Sequence, residues 1–328
     1  MVMTLRPSDN QRATALLSEY QGGADDFFKI WPEDKEYFFS TNKQAFIAYS
    51  RIGNIMVCLG DPVGSTSGIQ EAVKEFKVYC KANRYSFIFI EATPSTEQAF
   101  SNIRNRRILI GADANIKLDH FVHHTVFNKY FRNIVNRFTG KGYDIKLLTP
   151  PHNTTEIEKL RTISNSWLTL PGKKDSTFMT GRFDEEYLQL VNIYLLLDPD
   201  GIPLAFVNEI PSYKSGTATI DMMRHRADTP TNIMDYFFIR IMQLKYMDGY
   251  EYFNLGMSPL DARQFPDSPI TKLIVNGYKL SNKYFAFKGL HQFKNKYEPE
   301  WEARYARFYG NPKSWLPTSR AVIKMLFR

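Results

Sequence analysis

Asp221 and Arg224 stand three residues apart where a β-prone run, Thr217 to Met223, gives out before a loop and a helical pattern. Strand ends beside a helix N-terminus are where α/β sheets place ligands. An arginine there can grip a phosphate or carboxylate in a two-pronged contact, and an aspartate can hold an ammonium group or take a proton. A second candidate is Asn254-Leu255-Gly256-Met257-Ser258-Pro259, where a strand is expected to end in a glycine turn that brings backbone amides, Asn254 and Ser258 to a substrate. The third is the stretch from Phe287 to Tyr305, in which Lys294, Lys296 and Arg304 alternate with aromatic residues. Such interleaving suits nucleic-acid phosphates with stacked bases, or a lipid headgroup at an interface. The motif Gly-x-Ser-x-Gly does not occur, and the six histidines, His123 and His124 included, lack cysteines or carboxylates at ligand spacing. No metal and no cofactor is expected.

Charge narrows the partner. Lys plus Arg number 42 against 34 acids, a formal charge of +8, and the excess is concentrated. Lys283 to Arg328 holds ten bases and three acids, and Ile103 to Lys146 nine bases and three acids, so the remainder is net acidic. Two basic blocks on an acidic background point to a polyanion, either nucleic acid or an anionic membrane surface. Within the first block Lys129, Arg132 and Arg137 are the candidate contacts; within the second, Arg320 and Lys324 join Arg328 at four-residue spacing on one face of a short helix expected over Ser319 to Arg328. Beside Trp315, that helix suits either an anionic lipid surface or packing on the protein. Two cysteines exclude a disulfide framework, 43% hydrophobic and 23% charged residues exclude disorder, and no run reaches the roughly 18 apolar residues of a membrane span.

The elements that must position these groups come as a repeat. At 328 residues the chain suggests two domains. Strands are expected at Ala45 to Tyr49 and Ile55 to Leu59, then a loop Gly60-Asp61-Pro62-Val63-Gly64, a helix over Ile69 to Asn83 and a strand at Phe87 to Ile90. The same order returns about 160 residues later: strands Pro203 to Asn208 and Ala218 to Met222, a loop Arg224 to Pro230, a helix Asn232 to Met247 and a strand Tyr250 to Leu255. Thr149-Pro150-Pro151-His152-Asn153 is the linker candidate, followed by a helix over Thr154 to Trp167 in which Thr154 or Thr155 precedes Glu156 and Glu158. The reading is α/β: two tandem units of the GCN5-related N-acetyltransferase type, each a mixed sheet flanked by helices, over residues 1–150 and 151–328. An acetyl-CoA site needs a glycine-rich turn of backbone donors at the helix start. The loop Arg224 to Asn232 has no glycine, and in the first unit Asp61 would repel phosphate, so the acyl donor is expected to be something else.

Six stretches together resemble one family: Gly60 to Gly64, Lys129-Tyr130-Phe131-Arg132-Asn133 with Asn136-Arg137-Phe138, Gly181-Arg182-Phe183-Asp184, Asp221-Met222-Met223-Arg224, Phe253 to Leu260, and Phe293-Lys294 through Trp301 to Tyr305. In this order they are similar to the soluble C-terminal domain of phosphatidylglycerol lysyltransferases, the aminoacyl-phosphatidylglycerol synthases also called multiple peptide resistance factors. The resemblance implies transfer of an aminoacyl group, lysyl favoured and alanyl possible, from aminoacyl-tRNA to phosphatidylglycerol at the cytoplasmic face of the membrane. It also implies an N-terminal membrane region in full-length members. Asp221, Arg224 and Lys294 are then the expected catalytic groups, with Lys296, Arg304, Asn254 and Ser258 binding substrate. A peptide or peptidoglycan acceptor, or a non-catalytic tRNA- or membrane-binding module, are the alternatives.

Overall fold

The computed structural model describes residues 7–100, 106–173, 175, 180–259 and 287–310. The helix expected over Ser319 to Arg328, with Arg320 and Lys324, lies outside the described residues.

The first half opens with α1 (Pro7–Tyr20), which packs Ala13, Leu16 and Leu17 against Phe46 and Ala48. Its strands are β1 (Glu36–Phe39), β2 (Ala45–Ile52), β3 (Ile55–Leu59), β4 (Val63–Gly64), β5 (Ser86–Ala92) and β6 (Arg106–Lys117). β2 and β3 form a hairpin paired to its last residues, Ile52 opposite Ile55, so Gly53 and Asn54 alone make the turn and Gly53 takes a φ of +59°. Between β3 and β5 runs α2 (Thr66–Ala82), opened by Ser65, whose hydroxyl accepts from the Gly68 amide at 3.1 Å. Ala72, Val73, Phe76 and Cys80 recur at helical spacing and are buried on the sheet. After β6 come α3 (Leu118–His123), α4 (Lys129–Phe138) and β7 (Asp144–Leu148).

The second half repeats the plan. α5 (Thr154–Leu168) is capped not by either threonine but by Asn153, which accepts from Glu156 N while the Glu156 side chain accepts from Asn153 N. Then follow α6 (Glu185–Leu188), β8 (Asn192–Leu197), β9 (Pro203–Ile210), β10 (Thr217–His225), α7 (Ile233–Met247), β11 (Tyr252–Pro259), α8 (Phe287–Asn295) and β12 (Glu300–Tyr309). Two boundaries differ from the sequence reading. β10 takes Arg224 and His225 into the strand, and β11 runs through Gly256 to Pro259 instead of turning there, because Gly256 at a φ of +76° absorbs an extra residue as a bulge.

One twelve-stranded sheet spans both halves, in the order β1-β2-β3-β5-β12-β6-β11-β10-β9-β8-β7, with β4 on β2. The parallel pairs β3–β5 and β10–β11, each joined by its helix, are the two repeats seen in the sequence. The strands after them are exchanged. β6 lies beside β11, β12 returns beside β5, and β6 and β12 pair antiparallel along the seam. A cut at residue 150 therefore crosses the pairing of β7 with β8 and of β6 with β11. One face buries Phe121, Phe131 and Phe138 against Phe237 and Phe238 of α7; the other buries Ile157, Leu160 and Ile163 of α5 together with Val57 and Ile88 of the first half. No helix among the described residues is long and apolar enough to cross a membrane.

Candidate active site

β10 and β11 pair from Thr217 with Tyr252 to Thr219 with Asn254, and no register joins them beyond, although the strands run on to His225 and Pro259. Each strand carries an irregularity at this point, between Ile220 and Met223 against β9 and between Asn254 and Met257 against β6. Asn254 builds the second. Its Nδ2 donates to Asn115 Oδ1 at 2.7 Å and its Oδ1 accepts from the Gly256 amide at 2.7 Å, which turns the chain at Gly256. The carbonyls this exposes at Gly256 and Met257 both accept from Lys294 Nζ, at 2.9 Å each. Lys294 comes from α8 and is buried; loss of water outweighs the pull of Asp113 and Glu91 and lowers its pKa to about 8. An ammonium has three donors, so one remains beyond these two bonds.

The opposite lip carries Asp221. Its Oδ2 accepts from the Gly181 amide at 3.0 Å and from the Tyr187 hydroxyl at 2.6 Å. Burial raises its pKa to about 6, against the lowering effect of those two bonds and of Arg224. Arg224 is buried, donates to Ser164 Oγ at 2.6 Å, pairs with Asp175 and lies over the Trp167 ring at 4.8 Å. Its two-pronged grip is thus taken up by the protein's own groups from α5 and the following loop.

The family "Phosphatidylglycerol lysyltransferase, C-terminal" matches residues 14–308. The chain belongs to that family. A phosphatidylglycerol lysyltransferase of Bacillus subtilis is 30% identical over 309 residues, 93% of this chain and 35% of the relative. One from Staphylococcus haemolyticus is 29% identical, over 94% of this chain and 36% of its own length. The chain thus spans about a third of the curated relatives it matches. Among solved structures, L-PGS from Bacillus licheniformis superposes with a TM-score of 0.84 at 30% identity, covering 96% of both chains. The expected α/β class of acetyltransferase-like units built on mixed sheet is the fold of this family member.

The remaining expected residues are spread around the gap. Arg304, buried on β12, pairs with Asp113 of β6, and its Nε has no partner among the described residues. Lys296 pairs with Asp235 of α7 and sits among the rings of Phe293, Tyr130 and Tyr297, with Phe293 nearest at 4.2 Å; burial lowers its pKa. The buried Ser258 hydroxyl finds no partner among the described residues. Lys129 and Arg132 project from α4 into solvent, and Arg137 reaches the Thr231 carbonyl at 3.4 Å. Sequence reasoning missed Tyr187, Asn208, Asp113, Glu91 and Asp25. The last two are buried together near Arg304 and both have raised pKa values, chiefly from burial. Only Gly181 and Asp184 had left a signal, as part of the family's Gly-Arg-Phe-Asp stretch.

Proposed function

We propose that the chain transfers an aminoacyl group, lysyl by preference, from aminoacyl-tRNA to the glycerol hydroxyl of phosphatidylglycerol. The observation that carries this is the parting of β10 and β11, which sets an acid, Asp221, and a buried cation, Lys294, on opposite lips of one opening. An aminoacyl ester is already activated, so the reaction needs alignment and one proton transfer. The glycerol oxygen bonds to the aminoacyl carbonyl carbon, the ribose oxygen leaves, and the glycerol proton passes to it. Asp221 either carries that proton or holds the aminoacyl ammonium. The third N–H of Lys294 stabilises the oxyanion of the tetrahedral intermediate. Arg224 reaches a substrate phosphate by exchanging Asp175 for it. Arg304 and Lys296 hold the lips, with Asn254 and Ser258, and Lys129, Arg132 and Arg137 offer a basic face to tRNA or to anionic lipid. The product lipid is less anionic, which weakens the attraction of cationic peptides at the cytoplasmic membrane where both substrates meet.

The test is incubation with phosphatidylglycerol vesicles and separately charged lysyl- and alanyl-tRNA, followed by identification of the lipid product. A lysyl lipid is expected. Transfer to a soluble amine without lipid would assign a peptide acceptor, and no transfer to any acceptor would leave a binding module.

A further inference from the structure

We propose that Tyr187 is a positioning residue for Asp221: anchored by Asn208, its hydroxyl acts with the Gly181 amide to fix one carboxylate oxygen, so that the other, Oδ1, does the work on substrate. The direction of every bond follows from one that cannot be reversed. The Met222 backbone amide donates to Asn208 Oδ1 at 2.7 Å. Asn208 must therefore present its Nδ2, which donates to the Tyr187 oxygen at 2.8 Å. The tyrosine proton is left for Asp221 Oδ2 at 2.6 Å. Burial and the Asp221 charge push the Tyr187 pKa well up, so the phenol keeps that proton. Oδ2 is thus a double acceptor, while Oδ1 has no partner among the described residues.

The surroundings hold the tyrosine in place. Asp184 caps α6 by accepting from the Tyr187 amide at 3.2 Å, and the ring stacks on Trp31 at 4.4 Å. Asn208 and Tyr187 are fully buried. Gly181 is needed because a Cβ there would stand 2.3 Å from the Tyr187 ring and 2.4 Å from Asp221 Oδ2. The Gly181 to Asp184 stretch thereby gains a purpose: its first residue supplies one donor and its last orients the other. The charged groups acting on Asp221 are Arg224, along its own strand, which favours the ionised form, and Asp175, from the loop after α5, which opposes it.

This inference rests on the role of Asp221 in the proposed reaction, so its test reads the carboxylate directly as well as turnover. Tyr187→Phe keeps the ring on Trp31 and removes only the donor. Carboxyl carbon NMR, with the Asp221 signal assigned by its loss in Asp221→Asn, is expected to show the Asp221 midpoint rising in Tyr187→Phe. The acidic limb of the transfer rate should rise with it, by about tenfold in rate per unit at low pH, while KM changes less than kcat and activity recovers at higher pH. Replacing Tyr187 by a difluorotyrosine, a stronger donor of the same shape, should move the midpoint the other way. An unmoved midpoint in both variants overturns the proposal. A moved midpoint with an unchanged pH–rate profile also overturns it. Full activity of Asp221→Asn would instead sink the role of Asp221, leaving the titration to report on Tyr187 by itself.

Discussion

The two halves place an aspartate at the same point of the repeated plan and use it in opposite ways. In the first, Asp61 follows β3 and both its oxygens are satisfied, by the Thr93 amide and hydroxyl and by the Thr96 hydroxyl. Its carbonyl is taken by Lys29 at 2.7 Å. The β3–β5 pair beside it stays in register for five residue pairs, from Ile55–Ser86 to Leu59–Ile90. In the second, β10 and β11 part after three, and Asp221 is held by one oxygen only. Burial raises the pKa of both acids. What separates them is where the hydrogen bonds fall: a carboxylate bonded on both oxygens ties loops together, and one bonded on a single oxygen is left a free acceptor beside an opening. The Asp61 expected to repel a phosphate is instead a structural knot, and the acyl-transfer chemistry is confined to the second crossover.

The largest effect should come from separating the halves. Because β6 and β12 are exchanged across the seam, neither 1–150 nor 151–328 alone has a partner for every edge of its strands. We expect each fragment to lack a cooperative unfolding transition when expressed alone, and the transition to return on co-expression. Independent folding of both fragments would show the seam to be dispensable.

Next in size, Asp221→Asn should lower the transfer rate by roughly 10²- to 10⁴-fold. Its melting temperature should hold or rise. A carboxyl whose folded pKa is raised to about 6 binds the extra proton in the native state, so its contribution to stability is lost as pH rises through that value. At neutral pH the whole penalty is present, and asparagine removes it. Asp61→Asn should do the reverse, because an amide nitrogen now faces the Thr93 donors: a loss of about 1–3 kcal/mol of stability, with the rate per folded molecule nearly kept. Denaturant unfolding and single-turnover transfer on both variants separate the two roles; matching profiles would erase the contrast.

Lys294 sharpens it at alkaline pH. With its pKa lowered to about 8, the side chain loses its charge just above neutrality, and transfer should fall along a basic limb near pH 8. Lys294→Met should lower the rate at neutral pH by roughly ten- to a thousandfold and abolish that limb. A limb that persists in the variant would assign it to another group.

The smallest effect is at the exposed basic face. Binding of tRNA should weaken with salt at a log–log slope of about −0.7 to −0.9 per phosphate contact, and Lys129→Ala and Arg132→Ala should each flatten it by about that amount. A slope unchanged in the double variant moves the tRNA elsewhere.

The repeat, both crossover helices and the α/β class follow from the sequence alone, because each rests on local periodicity: Ala72, Val73, Phe76 and Cys80 mark one helical face, and Ile55 to Leu59 one strand. The Asp-x-x-Arg spacing and the lysine-aromatic stretch were equally legible as residues to watch. Only the tertiary structure decided what they do. Arg224 is occupied by Ser164 and Asp175, residues 60 and 49 positions away, and Lys294 is bound to carbonyls 38 and 37 positions back. The exchange of β6 and β12 left no local trace, since strand order is a matter of long-range pairing and either strand reads the same at the edge or in the middle of a sheet. The choice between a knotted and a poised aspartate was hidden for the same reason. Thr93 and Thr96 meet Asp61, and Tyr187 meets Asp221, across 32, 35 and 34 residues, distances over which a sequence fixes the donors present but not which carboxylate oxygen they reach.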